Sequence, residues 1–147
     1  MFCFCSFMEP AMSSDWGDDL IRSYPNVFGS ARSNPASPRV GDGWRSLISL
    51  TIRRLSDAVA VHPKAVLRVT AIEQKYGSLR ILYSGSGIPA AAIDAIENAL
   101  TMAEAISEHT CELCGSPGRL FDDRGMLGAR CRVHASGRPV VDIPEHD

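Results

Sequence analysis

The chain has 147 residues, 45% of them hydrophobic and 22% charged, with a formal net charge of −2. That make-up suits one globular domain with at most a small appended module. It is too apolar for wholesale disorder, lacks the basic excess of a general nucleic-acid binder, and holds no uninterrupted apolar run of about 18 residues, so no membrane-spanning helix is expected.

The first residues, MFCFCSFM, form a short apolar run with no basic flank and no small-residue cleavage site, a poor match to a signal peptide. A cytoplasmic protein is expected. Five cysteines, an odd number with clustered spacing, fit metal binding better than a disulfide framework. Cys3 and Cys5 precede Met8 and Met12 in a leader, 1–19, that is expected to be a poorly ordered extension. Residues 20–43 form a loop-rich entry segment. It carries one apolar patch, Leu20, Ile21, Tyr24, Val27 and Phe28, that could dock as a brief helix or turn.

From Trp44 the pattern turns helical. Trp44, Leu47, Ile48, Thr51, Ile52, Leu55, Ala58 and Val59 make one stripe, with Asp42 placed to cap its start and His62-Pro63 to end it. Ala65–Glu73 alternates like a strand, with Leu67, Val69 and Ala71 on one face and Val66, Arg68, Thr70 and Ile72 on the other. Lys75-Tyr76-Gly77-Ser78 supplies a turn. Leu79–Ser84 returns as a second strand with Leu79, Ile81 and Tyr83 on one face, which predicts an antiparallel hairpin. Pro89 to Glu108 reads as an amphipathic helix burying Ile93, Ile96, Leu100, Ala103 and Ile106. A hairpin alone is marginal in water, so packing both helices on one sheet face is expected to supply the core.

The strongest chemistry follows. Cys111 and Cys114 form a C-x2-C pair, and after sixteen intervening residues Cys131 and His134 form a C-x2-H pair. Two-residue spacing lets a tight turn aim two ligands at one ion. Three thiolates and an imidazole suit one tetrahedral, structural zinc per chain. Gly115 relieves the backbone where amides crowd around sulfur. The 24 residues from Cys111 to His134 hold only six large apolar side chains, Leu113, Leu120, Phe121, Met126, Leu127 and Val133, too few to order the segment without the ion. His109 is an alternative fourth ligand. A catalytic zinc needs an open ligand position, which four good ligands close, and Glu112 lacks the H-x-E context of a deaminase. The Gly85–Gly87 stretch is too short for a dinucleotide loop and no P-loop Lys follows it.

The expected fold is thus α+β: a leader (1–19), an entry segment (20–43), a helix–β-hairpin–helix core (44–109), a zinc-binding module of ribbon or treble-clef type (110–138) and a tail (139–147). Charge is divided along it. Residues 44–90 carry seven basic residues against Asp57 and Glu73, and residues 91–112 carry five acids and no Lys or Arg. Arg45, Arg53, Arg54, Arg68, Lys75 and Arg80 are candidate nucleic-acid contacts, together with Arg119, Arg124, Arg130, Arg132 and Arg138 of the zinc module. Tyr76 and Tyr83 beside them could stack on bases, although positions in the hairpin core or on its edge are the account expected first. The acidic helix next to these arginines would oppose a polyanion.

Y-P-N-V-F at 24–28, G-D-G-W at 41–44, E-Q-K-Y-G-S-L-R-I at 73–81 and C-E-L-C-G-S-P-G-R-L with C-R-V-H resemble, in combination and over Leu20 to His134, a family of small uncharacterised bacterial and phage or prophage proteins. The resemblance implies the same order of elements and a metal-binding tail, and no known activity. It also implies a mobile-element setting, in which small non-enzymatic proteins bind and block host proteins, in the host cytoplasm if the protein is phage-encoded. No catalytic residues are expected. The partner expected first is a protein, held by the loop Leu120–Arg130 through Phe121, Asp122, Asp123, Arg124, Met126 and Leu127. A nucleic-acid-binding zinc module and an enzyme with an undetected site are the alternatives.

Overall fold

The computed structural model describes residues 15–29, 36–137 and 139–141. The leader up to residue 14 with Cys3 and Cys5, residue Arg138, and the end of the tail with His146 lie outside the described residues. The elements run α1 (Asp15–Ser23), α2 (Pro25–Phe28), a 3-10 turn (Asp42–Trp44), α3 (Arg45–Ala60), β1 (Val66–Lys75), β2 (Ser78–Ser86), α4 (Ala90–Ser107), β3 (Arg119–Asp123), β4 (Met126–Arg130) and α5 (Arg132–Ala135). This is the expected α+β architecture, a helix–hairpin–helix unit followed by a Cys/His knuckle. Among the described residues no helix is long and apolar enough to cross a membrane.

The α3 stripe faces inward as its period requires: Trp44, Ile48, Thr51, Ile52, Leu55 and Val59 are buried. Asp42 does not cap α3. Its carboxylate instead accepts a hydrogen bond from the Trp16 indole at 2.9 Å, tying α1 to the start of α3. α1 begins at Asp15, inside the stretch read as leader, because Trp16 and Leu20 have a core to enter. The entry segment likewise contributes Val27 and Phe28, both buried, from α2.

β1 and β2 pair antiparallel around a two-residue turn at Tyr76 and Gly77, whose φ values of 55° and 82° match the primed turns that fit strand twist. The face assignment of β1 needs one correction. The register slips between Val69 and Ala71, so Val69 pairs with Tyr83 while Ile72 pairs with Ile81. This β-bulge inserts one residue and reverses the alternation. Ile72 thereby joins Leu67 and Val69 in the core and Ala71 leaves it.

α4 is rotated relative to the expected stripe. Ala92, Ile96, Ala99, Ala103 and Ser107 are buried, whereas Ile93 and Ile106 are exposed. The small side chains let α4 approach α3 and β2 closely. At its end the Ser107 hydroxyl accepts from the Leu79 amide at 2.9 Å and donates to the Glu104 carbonyl at 2.6 Å, locking helix to strand. The sheet is not covered by the two long helices alone: α4 packs on β2, α2 on β1, and α3 spans behind them.

The candidate metal centre

Cys111 and Cys114 lie in a turn directly after α4. The Gly115 amide donates back to the Cys111 carbonyl at 2.8 Å, and the Cys111 amide donates to the Ser116 carbonyl at 2.8 Å. Gly115 has a φ of 81°, the left-handed conformation that folds the turn over its own sulfur atoms. Cys131 caps α5, and His134, three residues on, projects from the same side of that helical turn. β3 and β4 separate the two pairs by a hairpin that returns the chain to its start.

The four ligand atoms lie within 4.8 Å of one another. The Cys114 and Cys131 sulfurs are 3.7 Å apart, and His134 Nδ1 lies 3.4 Å from the Cys111 sulfur and 3.2 Å from that of Cys131. Two sulfurs each about 2.3 Å from one ion at the tetrahedral angle stand about 3.8 Å apart, and a sulfur and an imidazole nitrogen about 3.5 Å apart. The donor set and its spacing fit a single structural zinc, and all four predicted ligands meet in it. His134 rather than His109 completes the set.

The thiols differ in environment. Burial pushes the Cys111 thiol up, against opposing hydrogen bonds from the Cys131, Cys114 and Leu113 amides. Burial also raises Cys114, but the Ser116 hydroxyl and amide and the neighbouring Cys111 and Cys131 thiols outweigh it and bring Cys114 down to about 6. Amide and hydroxyl donors aimed at sulfur favour thiolate, the form that binds metal.

The knuckle is set into the domain by a seam that sequence reading missed. The Gly43 amide donates to the Glu112 carbonyl at 2.7 Å, and the Trp44 indole donates to the Thr110 carbonyl at 2.9 Å. Glu112 is buried between two ligands' neighbourhoods. Its amide donates to the Ala129 carbonyl at 2.9 Å, one carboxylate oxygen accepts from the Gly41 amide at 3.0 Å, and the other pairs with Arg130 at 3.3 Å. A Cβ on Gly43 would come within 2.2 Å of the Cys111 carbonyl oxygen, and one on Gly41 within 2.4 Å of that of Glu112. The G-D-G-W segment is therefore the socket of the metal module, and its two glycines are there because backbone meets backbone. The motif was visible; its role was not, because the contact spans about seventy residues of sequence.

The stretch Leu120–Arg130, read as a display loop, is a β-hairpin closed at Arg124 and Gly125, with φ values of 59° and 90°. The Asp122 carboxylate braces that turn by accepting from the Gly125 amide at 2.7 Å. Leu120 and Ala129 face the domain core, and the Gln74 side chain donates to the Leu127 carbonyl at 3.3 Å. Of the expected contact residues, Met126 and Arg124 are exposed, Phe121, Asp122 and Leu127 half-buried, and the side chain of Asp123 lies outside the described residues.

The basic residues of the core do not converge on the zinc module. Arg80 pairs with Glu104 at 3.3 Å, the Arg54 guanidinium lies 3.8 Å from the Met102 sulfur, Arg68 donates to the Leu67 carbonyl, and Lys75 sits over the Tyr76 ring. Arg45 and Arg53 are exposed along α3. Tyr83 is engaged by Glu97 rather than left free to stack. The chain matches no protein-family model, and no curated protein or solved structure is significantly similar to it.

Proposed function

We propose that the protein is a non-enzymatic interaction module in which zinc fixes a β-hairpin as the docking surface for another protein, in the manner of a phage- or mobile-element-encoded inhibitor of a host complex such as a defence system, acting in the cytoplasm. The observation that carries the reading is the set of apolar side chains left in water beside the metal ligands, although the rest of the domain also exposes apolar residues such as Val61, Tyr76 and Leu82. Met126 is 75% exposed, Val133 78% and Leu113 48%. Leu113, Phe121, Met126 and Leu127 also border one shallow groove of about 400 Å3. Apolar groups held rigidly in water, on a segment whose own stability comes from metal ligation, mark a surface kept for a partner. The four ligands fill the zinc coordination shell, so the metal's part is structural. The mobile-element setting rests on the motif resemblance.

The test is affinity capture from a bacterial extract treated with nuclease, using the zinc-loaded chain and its Met126→Asp variant. A stoichiometric protein retained by the parent and lost from the variant, with zinc content unchanged, supports the reading. A partner that disappears with nuclease, or binds both forms equally, overturns it.

A further inference from the structure

An adjoining groove of the zinc module, which shares Phe121 and Arg130 with the first, carries a different chemistry. On the β3–β4 hairpin, Leu120 and Ala129 face the core, so Arg119, Phe121, Gly128 and Arg130 face outward. Arg119 stands directly across the ladder from Arg130. Like charges at directly opposed positions repel and weaken a hairpin, and Arg132 follows two residues later on α5. Glu112 pairs with Arg130. Among the described residues Arg119 and Arg132 have no carboxylate partner. Among the described residues, three guanidinium groups therefore share one carboxylate around a groove of about 460 Å3, whose walls include Pro117, Phe121 and Val140. Gly128 is part of the construction: a Cβ there would sit 3.3 to 3.4 Å from the Arg130 guanidinium, which lies back across the strand at that position.

We propose that this groove is a nucleotide site, which takes a phosphate monoester on Arg119 and Arg132 and the attached base against Phe121. Among the described side chains lining the groove, the charge left over after the Glu112–Arg130 pair is two, which a phosphate dianion matches. Planar guanidinium forks bind phosphate through two oxygens at once. A bare phosphate would leave the ring and the apolar walls unused, whereas a base has the flat face that stacks on an aromatic side chain. The groove has the volume and the mixture of apolar wall and few charged groups found in small-ligand sites. The nucleotide is either free or the 5′-phosphorylated end of a single strand, since both present the same monoester phosphate and base. This inference does not rest on the protein-docking reading.

Isothermal titration calorimetry on the zinc-loaded full chain tests it, with AMP, inorganic phosphate, a short 5′-phosphorylated oligothymidylate and an oligoglutamate peptide as probes. AMP is expected to bind saturably and about tenfold or more tighter than phosphate, the margin that ring stacking supplies. Arg119→Ala with Arg132→Ala should abolish binding with zinc content unchanged. Phe121→Leu should weaken AMP and leave phosphate as it was. An oligothymidylate that binds more tightly than AMP, with a steep salt dependence, assigns the site to a strand; equal affinity assigns it to the free nucleotide. The proposal fails if neither AMP nor the oligonucleotide binds saturably, if the double variant binds them unchanged, if phosphate matches AMP, or if only the oligoglutamate peptide binds.

Discussion

The α3–β1–β2–α4 unit and the zinc module solve the same problem by opposite means. In the first, Trp44, Ile48, Ile52, Leu55, Leu67, Ile72 and Ile96 are withdrawn from water, and burial of that apolar area opposes the entropy of the chain. In the second, of six large apolar side chains only Leu120 is buried, and Leu113, Met126 and Val133 stand in solvent. Four ligand atoms gathered within 4.8 Å take the place of a core. A module held by metal does not need its apolar groups inside, and so can leave them outside for other uses. The two regions are nevertheless one body, because Leu120 and Ala129 join the main cluster and Glu112 is bonded to the Gly41–Gly43 turn.

The sharpest way to break this comparison is to remove the metal. Structural zinc supplies an apparent ~10–16 kcal/mol to small modules, so chelation or Cys114→Ser should have the largest effect of any single change. Hydrogen exchange should show the β3–β4 amides losing protection first, with α3 and β1 retaining much of theirs. Elemental analysis should find about one zinc per chain before the change and none after. Protection of β3 and β4 that survives chelation would make the module a burial-stabilised unit like the rest. The converse change is Ile52→Ala, which opens a cavity under α3 and should cost roughly 2–5 kcal/mol. Thermal unfolding should register that loss while zinc content stays unchanged.

These opposite means also explain what could be read from the sequence. Period and spacing are local, and the α3 stripe, the first hairpin, the helix after Pro89 and the four zinc ligands all declare themselves within a few residues. The bulge near Thr70 is invisible to period, because one inserted residue leaves the composition of β1 unchanged while exchanging Ala71 and Ile72 between faces. The rotation of α4 was hidden for a related reason. Isoleucines weigh more than alanines in any hydrophobic count, but the packing selects Ala92, Ala99 and Ala103 for close approach and leaves Ile93 and Ile106 outside. The second hairpin was missed because Arg124-Gly125 is a less familiar turn pair than Asn-Gly, and because Gly128 and Ala129 weaken the alternation.

The seam between the two regions offers an intermediate test. Gly43→Ala places a methyl group where the Cys111 carbonyl oxygen stands 2.2 Å away, so backbone must move on one side or the other. We expect a loss of about 2–4 kcal/mol, in the range of severe overpacking, together with weaker zinc retention in a chelator competition. Glu112→Gln keeps the shape of the buried side chain and removes its charge. It should cost about 1–3 kcal/mol, the range for a hydrogen-bonded charged group, and loosen both the Gly41 contact and Arg130. If Gly43→Ala lowers thermal stability and leaves zinc affinity untouched, the two regions are neighbours rather than one coupled body.

The smallest expected effect lies wholly within the burial-stabilised region and bears on pH. The Tyr83 hydroxyl donates to the Glu97 carboxylate at 2.6 Å, joining β2 to α4. That hydrogen bond, with some burial and the negative charge of Glu97, pushes the Tyr83 hydroxyl up to about 12. The folded state therefore holds the proton more tightly than the unfolded state, in which tyrosine ionises near pH 10. The stabilisation is complete below about pH 10 and is lost as the pH rises through about 12. The pair is open to solvent, which screens it to below about 1 kcal/mol. An absorbance titration of phenolate should show a tyrosine step near pH 12, well above the ordinary value near 10. Glu97→Gln removes the charge while keeping an acceptor oxygen, so that late step should move down toward the ordinary tyrosine value with only a slight drop in thermal stability. A late tyrosine that persists in Glu97→Gln would assign the shift to burial alone, leaving the Arg80–Glu104 pair as a charged tie between β2 and α4.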